Sequence, residues 1–227
     1  MSDRREPFRD RQEAGRALAA ALLPYAASRP LVLALPRGGV PVAFEVARAL
    51  HTDMDLLFVR KIGLPGHEEY GLGAVVDGAA PHIVLDRVLV GEFGVGTRAI
   101  RDIVQRQLGE IARQRRLYLK GRPPMPLAER TVIVVDDGIA TGGTMRAALQ
   151  AVRGARPARL ILAVPVAPPD SIAALAAECD DIVCLMQPRP LYAVGAYYRD
   201  FAQVEDEEVI RLVTEAQRDG QVAPTEG

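Results

Sequence analysis

The chain has no tryptophan, only two cysteines and only two lysines among its 227 residues. Each scarcity excludes something. Cys179 and Cys184 lack the CxxC spacing of a redox or zinc motif, so they read as reduced, partly buried thiols. No apolar run approaches the ~20 residues that span a bilayer. The opening segment MSDRREPFRDRQ is polar rather than signal-like, which predicts a cytoplasmic, membrane-free protein. The formal net charge is -1, so nothing draws the chain generally toward nucleic acid or anionic lipid. Arginine is the default cation. Against it, Lys61 and Lys120 mark places where a compact ammonium suits better than a planar guanidinium.

What is present is ordinary in bulk and specific in detail. The length suits a single domain of residues 1–227, and the apolar fraction of 49% supports a sizeable core without disulfides. Helical spacing over 8–27, including Ala14, Leu18 and Leu22, predicts a first helix. The continuous apolar run Leu31–Leu35 reads as a strand covered on both faces, Asp55–Val59 as a second strand and Thr131–Val135 as a third, apolar strand. Further strands are expected at Ala74–Val76, Ile83–Leu85, Arg159–Val164 and Asp181–Leu185. Helices are expected at 42–50, at 97–119, from Thr144 to about Arg153, at 167–178 and at 205–217. Residues 60–73, rich in glycine and charge, read as a long mobile loop or a β-arm. The Arg-rich helix 97–119 interleaves Asp102 and Glu110, which fits a solvated face or a dimer contact better than a nucleic-acid face. Strands alternating with helices predict an α/β fold, Rossmann-like, with a mostly parallel sheet flanked by helices. Ligands of such sheets bind beyond the carboxyl ends of the strands. Three polar, glycine-bearing segments fall there: 36–40, 60–73 and 136–144.

The segment TVIVVDDGIATGGT, Thr131–Thr144, carries the chemistry. A small turn opens a helix, where successive N–H groups favour a phosphate. Thr141 and Thr144 add hydroxyls, and Gly142 and Gly143 allow close approach. Asp136 and Asp137 would repel a phosphate unless they had another partner, such as sugar hydroxyls or a hydrated Mg²⁺. The segment matches neither a Walker A loop nor GxGxxG.

This pattern resembles the phosphoribosyl-pyrophosphate motif of type I phosphoribosyltransferases. Over nearly all its length, including RKIGLPGHEEYGLGAV and LYAVGAYYRDF, the chain is similar to uncharacterised phosphoribosyltransferase-domain proteins. The resemblance implies that Asp136 and Asp137 hold the ribose 2′- and 3′-hydroxyls. It implies that Ala140, Thr141, Gly142, Gly143 and Thr144 hold the 5′-phosphate. Gly138 departs from the family's usual aliphatic residue, and Ala140 stands where members acting on 6-oxopurines place an acid.

The same resemblance makes Arg37, Gly38 and Gly39 the pyrophosphate loop, with a non-proline cis peptide expected at Arg37-Gly38. A plain turn with a solvated arginine is the alternative. Arg37, Arg60 and Lys61 would be the catalytic cations that stabilise departing pyrophosphate. For Lys61, plain surface charge is the other reading. Residues 186–203, with an N-terminal contribution, would form a small hood subdomain. There Tyr192, Val194, Tyr197 and Tyr198 either stack on a planar acceptor or pack among themselves.

The expected activity is Mg²⁺-dependent transfer of the phosphoribosyl group from phosphoribosyl pyrophosphate to a nitrogenous, nucleobase-like acceptor. Magnesium would be carried with the substrate. No direct protein cage is expected, although Asp136 and Asp137 could reach it through water. The alternatives are a non-catalytic regulatory binder of phosphoribosyl pyrophosphate, or hydrolytic or phosphorolytic chemistry on another phosphorylated ribose. The acceptor is not selected by the sequence, and a homodimer is implied only by the resemblance.

Overall fold

Aliphatic and β-branched residues without polar interruption form the strands at the centre of the molecule. The computed structural model describes residues 6–77 and 81–221. In it, β1 (Leu31–Ala34), β2 (Met54–Leu56), β6 (Thr131–Val135), β7 (Arg159–Val166) and β8 (Asp181–Met186) form one five-stranded sheet in the order β2-β1-β6-β7-β8. Every pairing in it is parallel, beginning with Leu31 against Val132 and Val32 against Met54. The chain winds outward from β1 to β2 on one side and from β6 to β7 on the other. The order therefore reverses between β1 and β6, and the crevice above their carboxyl ends is where such sheets bind ligands.

Alternate residues of each strand feed opposite layers. Val32, Ala34, Ile133, Val135, Ile161 and Ala163 pack toward α1 (Arg11–Leu22), α2 (Gly39–Leu50) and α7 (Asp206–Gln221). Leu31, Leu33, Val132, Val134, Leu160 and Leu162 pack toward α5 (Gly143–Gly154) and α6 (Pro169–Leu175). These side chains are essentially fully buried, and each of the larger ones contributes about 1.5–3 kcal/mol. Among the described residues, no helix is long and apolar enough to cross a membrane.

Residues 60–73 form an arm. β3 (Val59–Leu64), β4 (His67–Val76) and β5 (His82–Leu85) make a separate antiparallel sheet, with register shifts around Gly63. Ile62, Leu64 and Leu72 of this sheet bury against Ile103 and Val104 of α4 (Thr97–Leu119), beside the short α3 (Arg87–Glu92). The boundaries of α4 coincide with those read from its periodicity. Three other elements are shorter than expected. The first helix becomes a 3₁₀ turn at Leu23–Ser28, where Pro24 removes an amide donor. β2 ends at Leu56, after which the Leu57 amide still donates to Ala34 O at 2.9 Å. α6 begins only at Pro169, because consecutive prolines at 168 and 169 favour entry into a helix over its interior.

Candidate functional site

β6 ends in two acids at the switch point. Both are half-buried. Asp136 Oδ1 accepts the Asp137 amide at 2.8 Å, which turns that carboxylate back onto its own loop. Burial, and then the neighbouring Asp137 charge, push Asp136 well above the usual carboxylate range. Burial also raises Asp137, opposed by a hydrogen bond from Arg11. That bond, Arg11 Nε to Asp137 Oδ2 at 2.8 Å, is an ion pair with both side chains less than a fifth exposed. Arg11 was not among the residues singled out from sequence, since its partner lies 126 positions away.

The next residues build a cradle. Ile139 donates its amide to Val166 O at 2.9 Å, and Ser171 Oγ donates to Ala140 O at 2.8 Å, so the loop is pinned at both ends. Gly142 then adopts φ 81°, a left-handed conformation natural to glycine, and α5 starts without any side-chain cap. Its first amides, which like those of any helix N-terminus have no intrahelical acceptors, also receive no side-chain cap. Ala140, Thr141 and Gly143 are exposed there, and Thr144 is half-buried.

The loop after β1 meets this segment directly. A Cβ on Gly38 would lie 2.2 Å from Asp137 Oδ2, and one on Gly39 would lie 2.9 Å from Asp136 Cα. Two glycines are needed for the loops to touch. The non-proline cis peptide is present one residue earlier than expected, at Pro36-Arg37 rather than Arg37-Gly38. Gly38 already has helical dihedrals and caps α2, with the Gly39 amide donating back to Leu35 O, so the peptide entering it belongs to a helical turn.

Of the three assigned cations, Arg37 extends away from the acids toward α7, 3.4 Å from Asp206 and 3.9 Å from Glu205. Arg60 is held by Glu110 of α4 at 3.2 Å, and its Nε is buried with no hydrogen-bond partner among the described residues. Lys61 is exposed. As neighbours on β3, Arg60 and Lys61 project to opposite faces of the arm.

Residues 186–203 fold over the loop after β6. Tyr198 is buried, its hydroxyl donates to Asp137 O at 2.6 Å, and its ring packs between Phe8 and Phe201. Of the two readings of Tyr198, packing among its neighbours is the one that describes its place. Tyr197 is half-buried, whereas Tyr192 is 90% exposed. Val194 has a different part. A Cβ on Gly138 would lie 2.4 Å from Val194 Cγ1, so the valine occupies the space that a side chain at position 138 would need. The N-terminal segment joins the assembly through Phe8, whose amide donates to Tyr197 O and whose carbonyl accepts the Arg199 amide. A cavity of about 560 Å³ lies elsewhere, at the β2 edge, between Leu57, Met125 and Val152.

A site of this kind has relatives. The phosphoribosyl transferase domain model matches residues 94–189. Two Mycobacterium tuberculosis proteins, from strains CDC 1551 / Oshkosh and ATCC 25618 / H37Rv, each carry the name "Putative phosphoribosyl transferase". Each is 41% identical over 212 residues, covering 93% of this chain and 47% of its own length. The chain thus spans about half the length of these curated relatives. The crystal structure of TT1426 from Thermus thermophilus superposes with a TM-score of 0.80 at 42% identity, covering 92% of this chain and 98% of that one. By the domain model and by relatives aligned along nearly its whole length, the chain belongs to the phosphoribosyltransferase family.

Proposed function

We propose that the chain transfers a 5-phosphoribosyl group from phosphoribosyl pyrophosphate to a nitrogenous, nucleobase-like acceptor, releasing pyrophosphate. One observation carries the reading: two glycine loops and two half-buried acids meet at the switch point of the parallel sheet, beside an uncapped helix N-terminus. The amides of residues 140–144, with the hydroxyls of Thr141 and Thr144, bind the 5′-phosphate. Asp136 and Asp137 accept from the ribose hydroxyls. Amides of the 36–39 loop face the pyrophosphate. Holding the reacting centre between these loops supplies positioning, and the fixed donors stabilise charge as the C1′–O bond breaks.

Magnesium fits this site as an ion carried by the pyrophosphate. Burial and the neighbouring Asp137 charge disfavour ionisation of Asp136, a repulsion that an added cation would relieve. When bound, the ion neutralises the leaving pyrophosphate. Arg37, Arg60 and Lys61 are the candidates to assist departure, Arg37 after exchanging Asp206 and Arg60 after exchanging Glu110 for the ligand.

A regulatory binder is the second reading, favoured by the engagement of Arg37 and Arg60 with protein acids. One assay separates the two. The protein is incubated with Mg²⁺, phosphoribosyl pyrophosphate and a panel of nucleobases, and pyrophosphate is followed. Base-dependent release supports the transferase, binding without turnover supports the regulator, and absence of binding sinks both.

A further inference from the structure

Arg11 occupies a place that its own helix does not explain. It is the first residue of α1, directly after the N-cap Asp10, whose side chain accepts the Glu13 amide. A cation there opposes the positive end of the helix dipole, so the helix gains nothing from it. The arginine is nonetheless enclosed on three sides. Nε donates to Asp137 Oδ2 at 2.8 Å, Nη1 donates to Ala202 O at 2.7 Å, and the guanidinium lies 3.9 Å from the Phe201 ring centroid.

The carboxylate it holds is fixed from the other side as well. Asp137 Oδ2 sits so close over the pyrophosphate loop that a Cβ on Gly38 would come within 2.2 Å. The backbone of the same residue is anchored by Tyr198. With Oδ2 taken by Arg11 and pressed against Gly38, Oδ1 is the oxygen left to meet a ligand. Asp136 is braced differently, by the Asp137 amide, its one hydrogen-bond donor among the described residues. The two acids thus differ in how firmly each is aimed.

Resting on the phosphoribosyl reading above, we propose that Arg11 is a positioning residue: it aims Asp137 at a ribose hydroxyl and supplies the positive charge that lets a phosphorylated sugar approach two adjacent acids. An arginine suits this role better than a lysine, because its planar fork bonds the carboxylate and Ala202 O at once while stacking on Phe201. The role is distinct from holding the fold. A structural tie would affect stability, whereas a positioning residue sets how well the protein tells a ribose from a sugar without hydroxyls.

The test compares binding of ribose 5-phosphate and 2,3-dideoxyribose 5-phosphate by calorimetry, for the full chain and for Arg11→Met and Arg11→Lys, with melting temperatures alongside. The unchanged protein is expected to prefer the ribose by about tenfold or more, the scale of a hydrogen bond to a charged group. Arg11→Met should bring the ratio to about one and weaken both sugar phosphates, since it removes the positive charge as well as the fork. Arg11→Lys should give an intermediate ratio, since it keeps the charge and loses the fork. If Arg11→Met does not fold, Arg11→Lys decides: a reduced ratio supports the proposal, an unchanged one overturns it. A variant that folds and keeps the full preference also overturns it, as does an unchanged protein with no preference. If the unchanged protein binds neither sugar phosphate nor phosphoribosyl pyrophosphate, the functional reading itself falls.

Discussion

The two ends of the candidate site are built on different principles. On the side proposed to hold the phosphoribosyl group, glycines allow close approach: Gly38 lies against the Asp137 carboxylate and Gly39 against the Asp136 backbone, and the loop between β6 and α5 is pinned by Val166 and Ser171. On the side proposed to meet the acceptor, residues 186–203 contribute side chains, from the buried Tyr198 to the 90% exposed Tyr192. A ligand part that never changes can be met by fixed amides on rigid elements. A part that differs among relatives is better met by side chains, which can change without moving the sheet.

The sharpest way to break the comparison is at Gly38. Gly38→Ala places a methyl group 2.2 Å from Asp137 Oδ2, so the two loops must part. Affinity for phosphoribosyl pyrophosphate should fall by about 100-fold or more in calorimetry, the cost of misplacing positioned groups. Retained affinity would mean the loops do not act together.

Next in size is Gly138→Ala. Its Cβ meets Val194 Cγ1 at 2.4 Å and Val166 Cγ1 at 2.9 Å, so overpacking should destabilise by about 1–3 kcal/mol in urea titration. Adding Val194→Ala should restore part of that loss, and a strictly additive double variant would show that the valine does not fill the glycine's space.

Asp136→Asn should weaken ligand binding yet stabilise the free protein by about 0.5–2 kcal/mol, because it removes a buried charge beside another. The sign follows from the raised pKa. The folded state holds this proton more tightly than the unfolded chain, so its contribution is full below the unfolded value near ~3.9 and is lost as pH rises through the folded value. The stability advantage of the variant should therefore be largest at neutral pH and shrink on acidification toward ~4. Melting curves of both proteins across that range decide it.

The smallest effect belongs to Tyr192→Ala, which should leave stability within about 0.5 kcal/mol because the side chain is 90% exposed. If Tyr192 meets the acceptor, only the acceptor KM in the pyrophosphate-release assay should rise.

Much of the phosphoribosyl side was legible because its signals are local. Thr131–Val135 reads as a buried strand, two acids and a glycine turn follow, and α4 shows its full extent in its periodicity. What escaped depends on distant partners. Arg11 lies in a polar stretch with no pattern to mark it, and only its place against the helix dipole hints at another task. Tyr198 looked like its neighbours until its hydroxyl was found on Asp137 O. The arm hid its pairing because glycines and a register shift obscure alternation in β3 and β4. The peptide before Arg37 was misplaced by one residue because the sequence did not reveal that Gly38 is already helical.

The contact between Arg11 and Ala202 spans 191 residues. A ribosome adding about 5–20 residues per second needs roughly 10–40 s to travel that distance. The parallel strands and their helices can assemble while the arginine waits. The enclosure of Arg11 is then completed late, when the segment carrying Phe201 and Ala202 emerges and closes over a guanidinium made long before. A nascent chain stalled short of that point would carry the phosphate turn without the segment that holds the arginine against its acid.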